Sequence, residues 1–132
     1  MPSNYVRGRM FEYTVRNKLA KHGYLSIRAS SSKGTPKFQP PIDIVAIKNG
    51  EIILVECKRS KRGIRKELIT TLKKMGEEYS VNTIIVYSNR GIRCILVHDH
   101  SKIEPKLKTI FKEVQTAERY EEKRKGREKR KN

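Results

Sequence analysis

Asp43, Glu56 and Lys58 are the residues of this chain whose types and spacing could do chemistry. They lie in IDIVAIKNGEIILVECKRS, residues 42–60, where two apolar runs flank Asn49-Gly50 and each run carries one acid. Asn-Gly between β-branched runs signals a two-residue type I′ hairpin. Its register sets Lys48 opposite Glu51, Ile47 opposite Ile52, Val45 opposite Leu54 and, further along, Asp43 opposite Glu56. Opposed Cβ atoms lie roughly 4.5–5.5 Å apart, so like charges there destabilise the hairpin unless a cation lies between them. Folding alone would not select the pair. Strand alternation adds Lys58 to the face of Glu56. A hard divalent ion such as Mg²⁺ uses one or two carboxylates, waters and substrate phosphate. Such an ion activates water for phosphodiester hydrolysis, and a neighbouring ammonium can orient that water or offset charge on the phosphate. The structural alternative is an Asp43–Lys58 surface ion pair with Glu56 in solvent.

The composition points to a polyanionic partner. Lys and Arg number 31 against 14 Asp and Glu, a net charge of +17 over 132 residues. The last 14 residues, RYEEKRKGREKRKN, hold eight basic and three acidic residues, so the remaining body still carries +12. A charge of this size matches polyphosphate better than it matches the needs of solubility. At 36% hydrophobic residues the chain can bury one core. It has no signal-peptide pattern and no apolar run of membrane length, which predicts an intracellular protein that does not engage a membrane. Cys57 and Cys94 have no zinc-like spacing and read as buried free thiols. His98 and His100 could share a strand face and bind a metal, but no third ligand is evident, so a polar cluster at a strand end is expected.

The elements that must position the acids follow from periodicity. A helix is predicted over about residues 7–21, with Phe11, Val15 and Leu19 inward and a Gly23 cap. Glu12 sits at the margin of that stripe, either reaching the acids or pairing with Arg16 at i+4. YLSIRAS reads as a strand with Arg28 and Ser30 on one side, followed by an irregular loop, SSKGTPKFQPP. Lys33 and Lys37 in that loop suit contact with a phosphate backbone. After the hairpin, Ile64, Leu68, Leu72, Met75 and Tyr79 predict a helix over about residues 65–79. NTIIVYS and IRCILVH are two more strands, making five. Leu107, Ile110, Phe111 and Val114 predict a last helix that loses its apolar face near Ala117. The expected organisation is one domain over residues 1–118 and a basic tail over 119–132, frayed or disordered.

Gly8 with Glu12 in the first helix, Arg28 with serines on the next strand, and then IDIVAIKNGEIILVECK resemble the archaeal Holliday junction resolvases of the PD-(D/E)XK nuclease superfamily. The resemblance covers roughly residues 6–100. It implies an α/β restriction-endonuclease-like domain with a central mixed five-stranded sheet flanked by helices. Asp43 and Glu56 would hold Mg²⁺ or Mn²⁺, the Cys57 carbonyl could add a ligand, Lys58 would assist the attacking water, and Glu12 would complete the site beside the metal. Arg28 and one of Ser30, Ser31 and Ser32 would meet the scissile phosphate region, with Ser32 taken as the catalytic serine. Arg7, Arg9, Lys33, Lys37, Arg59, Lys61 and Arg62 would contact DNA. A homodimer would place paired cuts across a four-way junction. The chain departs from the family pattern at Tyr13, where a basic residue often follows the helix glutamate, and at Ile42, which separates Pro41 from Asp43. A restriction or repair nuclease of the same fold and a noncatalytic basic DNA-binding domain are the competing readings.

Overall fold

The computed structural model describes residues 3–29, Pro36, Gln39 and residues 42–131, the last five of these by their backbone alone. The chain begins with helix α1 (Asn4–Lys21), whose first turn is capped by Ser3, its hydroxyl accepting from the Val6 N–H at 3.2 Å. That cap starts the helix three residues before the predicted position. Strand β1 (Leu25–Arg28) follows, and then the hairpin of β2 (Ile44–Lys48) and β3 (Glu51–Lys58). Asn49 and Gly50 both adopt positive φ, 50° and 80°, as a type I′ turn requires. The register is the predicted one, from Lys48 opposite Glu51 to Val45 opposite Leu54.

A 3₁₀ turn at Lys61–Gly63 leads into α2 (Lys66–Tyr79), which returns the chain to β4 (Asn82–Ser88), parallel to β3. Strand β5 (Ile92–His98) runs antiparallel to β4, and α3 (Glu104–Ile110) then crosses to β6 (Glu113–Thr116), parallel to β5. Helix α4 (Ala117–Lys131) ends the described chain. The strands form one mixed sheet in the order β1-β2-β3-β4-β5-β6. Strand β4 is its most buried member, since Ile84 and Val86 face a core with α1 and α3 residues while Ile85 and Tyr87 face one with α2 and α4 residues. This is the expected α/β architecture with one strand more than predicted.

The extra strand comes from the segment read as a single last helix. The chain leaves α3 at Phe111, which is extended at φ −110° and ψ 150°, and Glu113–Thr116 then pairs with β5. Apolar spacing over so short a run fits either conformation. Pairing settles it, because β5 would otherwise present an open row of backbone donors and acceptors at the sheet edge. The predicted boundary at residue 118 also falls inside α4. Ala117 and Tyr120 are buried, the Tyr120 ring meets Tyr87 edge-on at 6.4 Å, and an Arg124 guanidinium N–H donates to the Ile64 carbonyl at 2.7 Å. These three contacts dock the start of the charged helix against the sheet and α2.

At the far end of the sheet, His98, Asp99 and His100 form the expected polar cluster. The His98 Nδ1 lies 2.8 Å from the Val81 carbonyl oxygen, Asp99 accepts from the Ile103 N–H at 2.8 Å, and the two imidazoles stack at 6.3 Å. Cys57 and Cys94 are free thiols, half-buried and buried respectively. Among the described residues, no helix is long and apolar enough to cross a membrane.

Candidate active site

The site forms where the β2–β3 ladder ends. Regular pairing stops at Ile44 opposite Val55, and Asp43 lies one residue beyond, its N–H still donating to the Val55 carbonyl at 3.2 Å. Its carbonyl accepts from the Ala29 N–H at 2.8 Å, so the residue is held from both neighbouring strands. The Asp43 carboxylate turns across β3, where Oδ2 accepts from the Cys57 N–H at 2.8 Å. That contact orients the acid beside Glu56.

Glu56 is 6% exposed, an unusual environment for a carboxylate. Burial first, and then the hydrogen bond and charge of Asp43, push its pKa up to about 9, against the smaller opposing pulls of Lys58 and the Cys57 N–H. At neutral pH Glu56 therefore keeps its proton, hydrogen-bonded to Asp43. The predicted alternative, in which Glu56 simply faces water, does not hold. Lys58 ends β3 two residues on, and its side chain lies along the backbone of Gly63, where an added Cβ would come within 2.9 Å of Lys58 Cδ.

Helix α1 brings Glu12 to the same region. Its Oε1 accepts from Arg28 Nε at 2.9 Å, a half-buried ion pair between α1 and β1. Burial raises the Glu12 pKa, the Asp43 charge raises it further, and Arg28 opposes both. Arg16, the partner considered from helical spacing, instead donates to Asn17 Oδ1 at 3.3 and 3.1 Å. Burial and the charges of Asp43, Glu12 and Glu56 likewise push the Cys57 thiol up, so the thiol sits within the field of all three acids.

Tyr13 and Gly63 were not singled out as site residues from sequence. The Tyr13 ring carries Arg28 at 5.0 Å on one contact and Arg16 at 4.9 Å on another. Tyr13 thus gathers two cations directly after Glu12. Its position directly after Glu12 was the available signal; for Gly63 there was none.

The donor set suits a hard divalent ion. Glu56 would give up its proton to such an ion, leaving both carboxylates free to ligate it. Among the described residues no group of three or more His, Cys, Asp and Glu side chains is gathered for a metal, and Glu12 is engaged by Arg28. Of the expected DNA contacts, Arg7 and Arg9 lie on α1, Arg59 follows β3 and donates to Asn4 Oδ1 at 3.3 Å, and Lys61 and Arg62 lie on the 3₁₀ turn. Ser30, Ser31, Ser32, Lys33 and Lys37 lie outside the described residues.

The family described as archaeal Holliday junction resolvase (hjc) matches residues 3–122. A crossover junction endodeoxyribonuclease Hjc of Methanocaldococcus jannaschii is 34% identical over 80 residues, 58% of this chain and 55% of that protein. Its namesake in Sulfurisphaera tokodaii is 41% identical over 63 residues, 48% of this chain and 43% of that one. The matched stretch spans about half the length of these relatives. Among solved structures, the Holliday junction resolvase Hjc of Archaeoglobus fulgidus superposes with a TM-score of 0.53 at 21% identity, covering 64% of this chain and 72% of that one. That likeness shows the shared restriction-endonuclease-like fold.

Proposed function

Because its family match runs from residue 3 to residue 122, the chain belongs to the archaeal Holliday junction resolvase family, and from that membership we propose that it is a divalent-metal-dependent endonuclease that resolves four-way DNA junctions by paired phosphodiester cuts. The observation that carries the reading is the Asp43–Glu56 pair, two acids joined by a hydrogen bond, one of them buried, at the end of an apolar hairpin. Burial and Asp43 keep Glu56 protonated at neutral pH, and a hard divalent ion would take the place of that proton between the two acids.

Asp43, Glu56 and the Cys57 carbonyl would hold Mg²⁺ or Mn²⁺, which when bound polarises the phosphate and acidifies water. Lys58 orients the attacking water and offsets charge developing on the phosphate. Arg28, held by Glu12 and Tyr13, meets the scissile phosphate region, with one of Ser30 to Ser32 beside it. Glu12 acts by fixing Arg28 and by adding negative charge next to Asp43.

Paired cuts need two centres, and one chain has one. A two-fold homodimer supplies the second. Its interface is the sheet face on which Leu25 and Ile27 are 63% and 50% exposed, beside half-buried Val45, Ile47 and Leu54. Alternation normally turns such residues inward, but α2 packs farther along, on β4 and β5. An uncovered apolar patch of this kind marks an association surface.

The test compares cleavage of a four-way junction and of a duplex with the same sequence, with and without Mg²⁺, for wild type and Glu56→Gln. Symmetric cuts in the junction alone, dependent on the metal and on Glu56, are expected. Equal cleavage of both substrates would move the chain to a general nuclease role, and Mg²⁺-independent cleavage would remove the site from the chemistry.

A further inference from the structure

A basic surface outside the nuclease centre lies along α4. Three adjoining recesses of about 260, 560 and 430 Å³ run from the start of α2, past α4, to the β4–β5 turn. The first shares Arg62 and Arg124 with the second, and Lys61, Gln115 and Lys123 with the third, so they make one track. Nine Lys or Arg and three Glu line it, and one of those acids, Glu113, is neutralised by Arg93.

Two relationships connect this track to the centre. Lys58 pairs in register with Tyr87, which lines the third recess. The 3₁₀ turn that carries Lys61 and Arg62 ends at Gly63, against the Lys58 side chain. The track also has an open polar floor. Gln115 is 9% exposed, yet its Oε1 has no hydrogen-bond partner among the described residues, although it lines two of the recesses. The Gln115 amide hydrogen-bonds Tyr87, and its unmet oxygen is an acceptor suited to water in the recess and not to a phosphate.

Helix α4, anchored by buried Tyr120, holds Arg124 and Lys125 beside Arg65 and Lys66 at the start of α2, and like charges brought together across a recess repel one another. A polyanion between the two would offset that repulsion. We propose that the track between the 3₁₀ turn, the start of α2 and α4 is a phosphate-backbone clamp for a duplex DNA arm leaving the nuclease centre. It rests on the reading of the chain as a junction nuclease and joins Lys61 and Arg62, expected from sequence to contact DNA, to Arg65, Lys66 and the basic residues of α4 in one surface.

The experiment measures binding of the full chain, without divalent metal, to junctions with short and long arms over a range of salt. It uses the combined variant Lys66→Glu, Lys123→Glu, Lys125→Glu, all exposed positions, and Lys→Gln at the same three sites in case the reversals unfold α4. Loss of three phosphate contacts should reduce the salt slope by about 2–3, since each duplex contact contributes about 0.9. The loss should appear on long arms and be small on short ones. An unchanged slope on long arms in a folded variant overturns the clamp, including the case in which the same variant loses polyglutamate binding, which would assign the track to an acidic protein. Because binding is read without cleavage, the result stands apart from the failure or success of the nuclease reading.

Discussion

Arg28 Nε donates to Glu12 Oε1 at 2.9 Å, joining the first helix to the edge strand beside Asp43. The pair is half-buried on both sides, so removing either member strands the other. Glu12→Gln and Arg28→Ala should each lower the cleavage rate by about 10- to 100-fold, the range for partners that orient a metal site. The double variant should lose little more than either single one. Additive losses in single-turnover assays would show that the residues act separately.

Asp43→Asn and Glu56→Gln should reduce cleavage by about 100- to 1000-fold or more, the scale for a group that stabilises transition-state charge. Junction binding should survive, because the affinity resides in the basic surface. Cleavage at the wild-type rate by either variant would displace the assigned centre.

The elevated Glu56 pKa gives stability a definite pH dependence. In the metal-free protein the folded state holds its proton up to about pH 9, against 4.5 for an ordinary glutamate. Its contribution is therefore fully present below the ordinary value and is lost as pH rises towards about 9. The melting temperature of wild type should fall relative to Glu56→Gln across that window. Metal binding at neutral pH should release a proton, measurable by calorimetry in buffers of different ionisation enthalpy. A melting difference that is flat with pH would contradict a Glu56 that keeps its proton at neutral pH.

Gly63→Ala tests how Lys58 is placed. The new Cβ would come within 2.9 Å of Lys58 Cδ and must displace it. Cleavage should drop by about 10- to 100-fold, the effect of a misplacement near 1 Å. Junction affinity and melting temperature should change little. A fall in affinity as large as the fall in rate would mean that the turn, not the lysine, had moved.

Leu25→Glu with Ile27→Glu tests the two-fold particle. Both positions are exposed in the single chain, so its folding stability should change by no more than about 0.5 kcal/mol per site. Sedimentation should show a dimer for wild type and a monomer for the variant. The variant should nick junctions without completing resolution. A wild-type monomer that makes paired cuts in one binding event would refute the dimer.

The hairpin was determined by the sequence alone. Asn49-Gly50 admits one tight turn between β-branched runs, and alternation then places Asp43, Glu56 and Lys58 together whatever surrounds them. Helix α2 was legible from its apolar period, α1 from Phe11, Val15 and Leu19 ahead of a Gly23 cap, and β4 and β5 from short β-branched runs on either side of a tight turn. The partner of Glu12 was not, because Arg16 and Arg28 were both within reach on paper and only the packing of α1 against β1 decides between them. Strand β6 was not legible, and neither was the docking of α4, a segment expected as a frayed helix or disorder. Val114 fits a helical stripe until β5 needs an edge partner, and Tyr120 is one aromatic among charges until Tyr87 is found beneath it. Local periodicity is a property of the chain, whereas edge pairing, burial and the raised pKa of Glu56 depend on which distant residues the fold brings into contact.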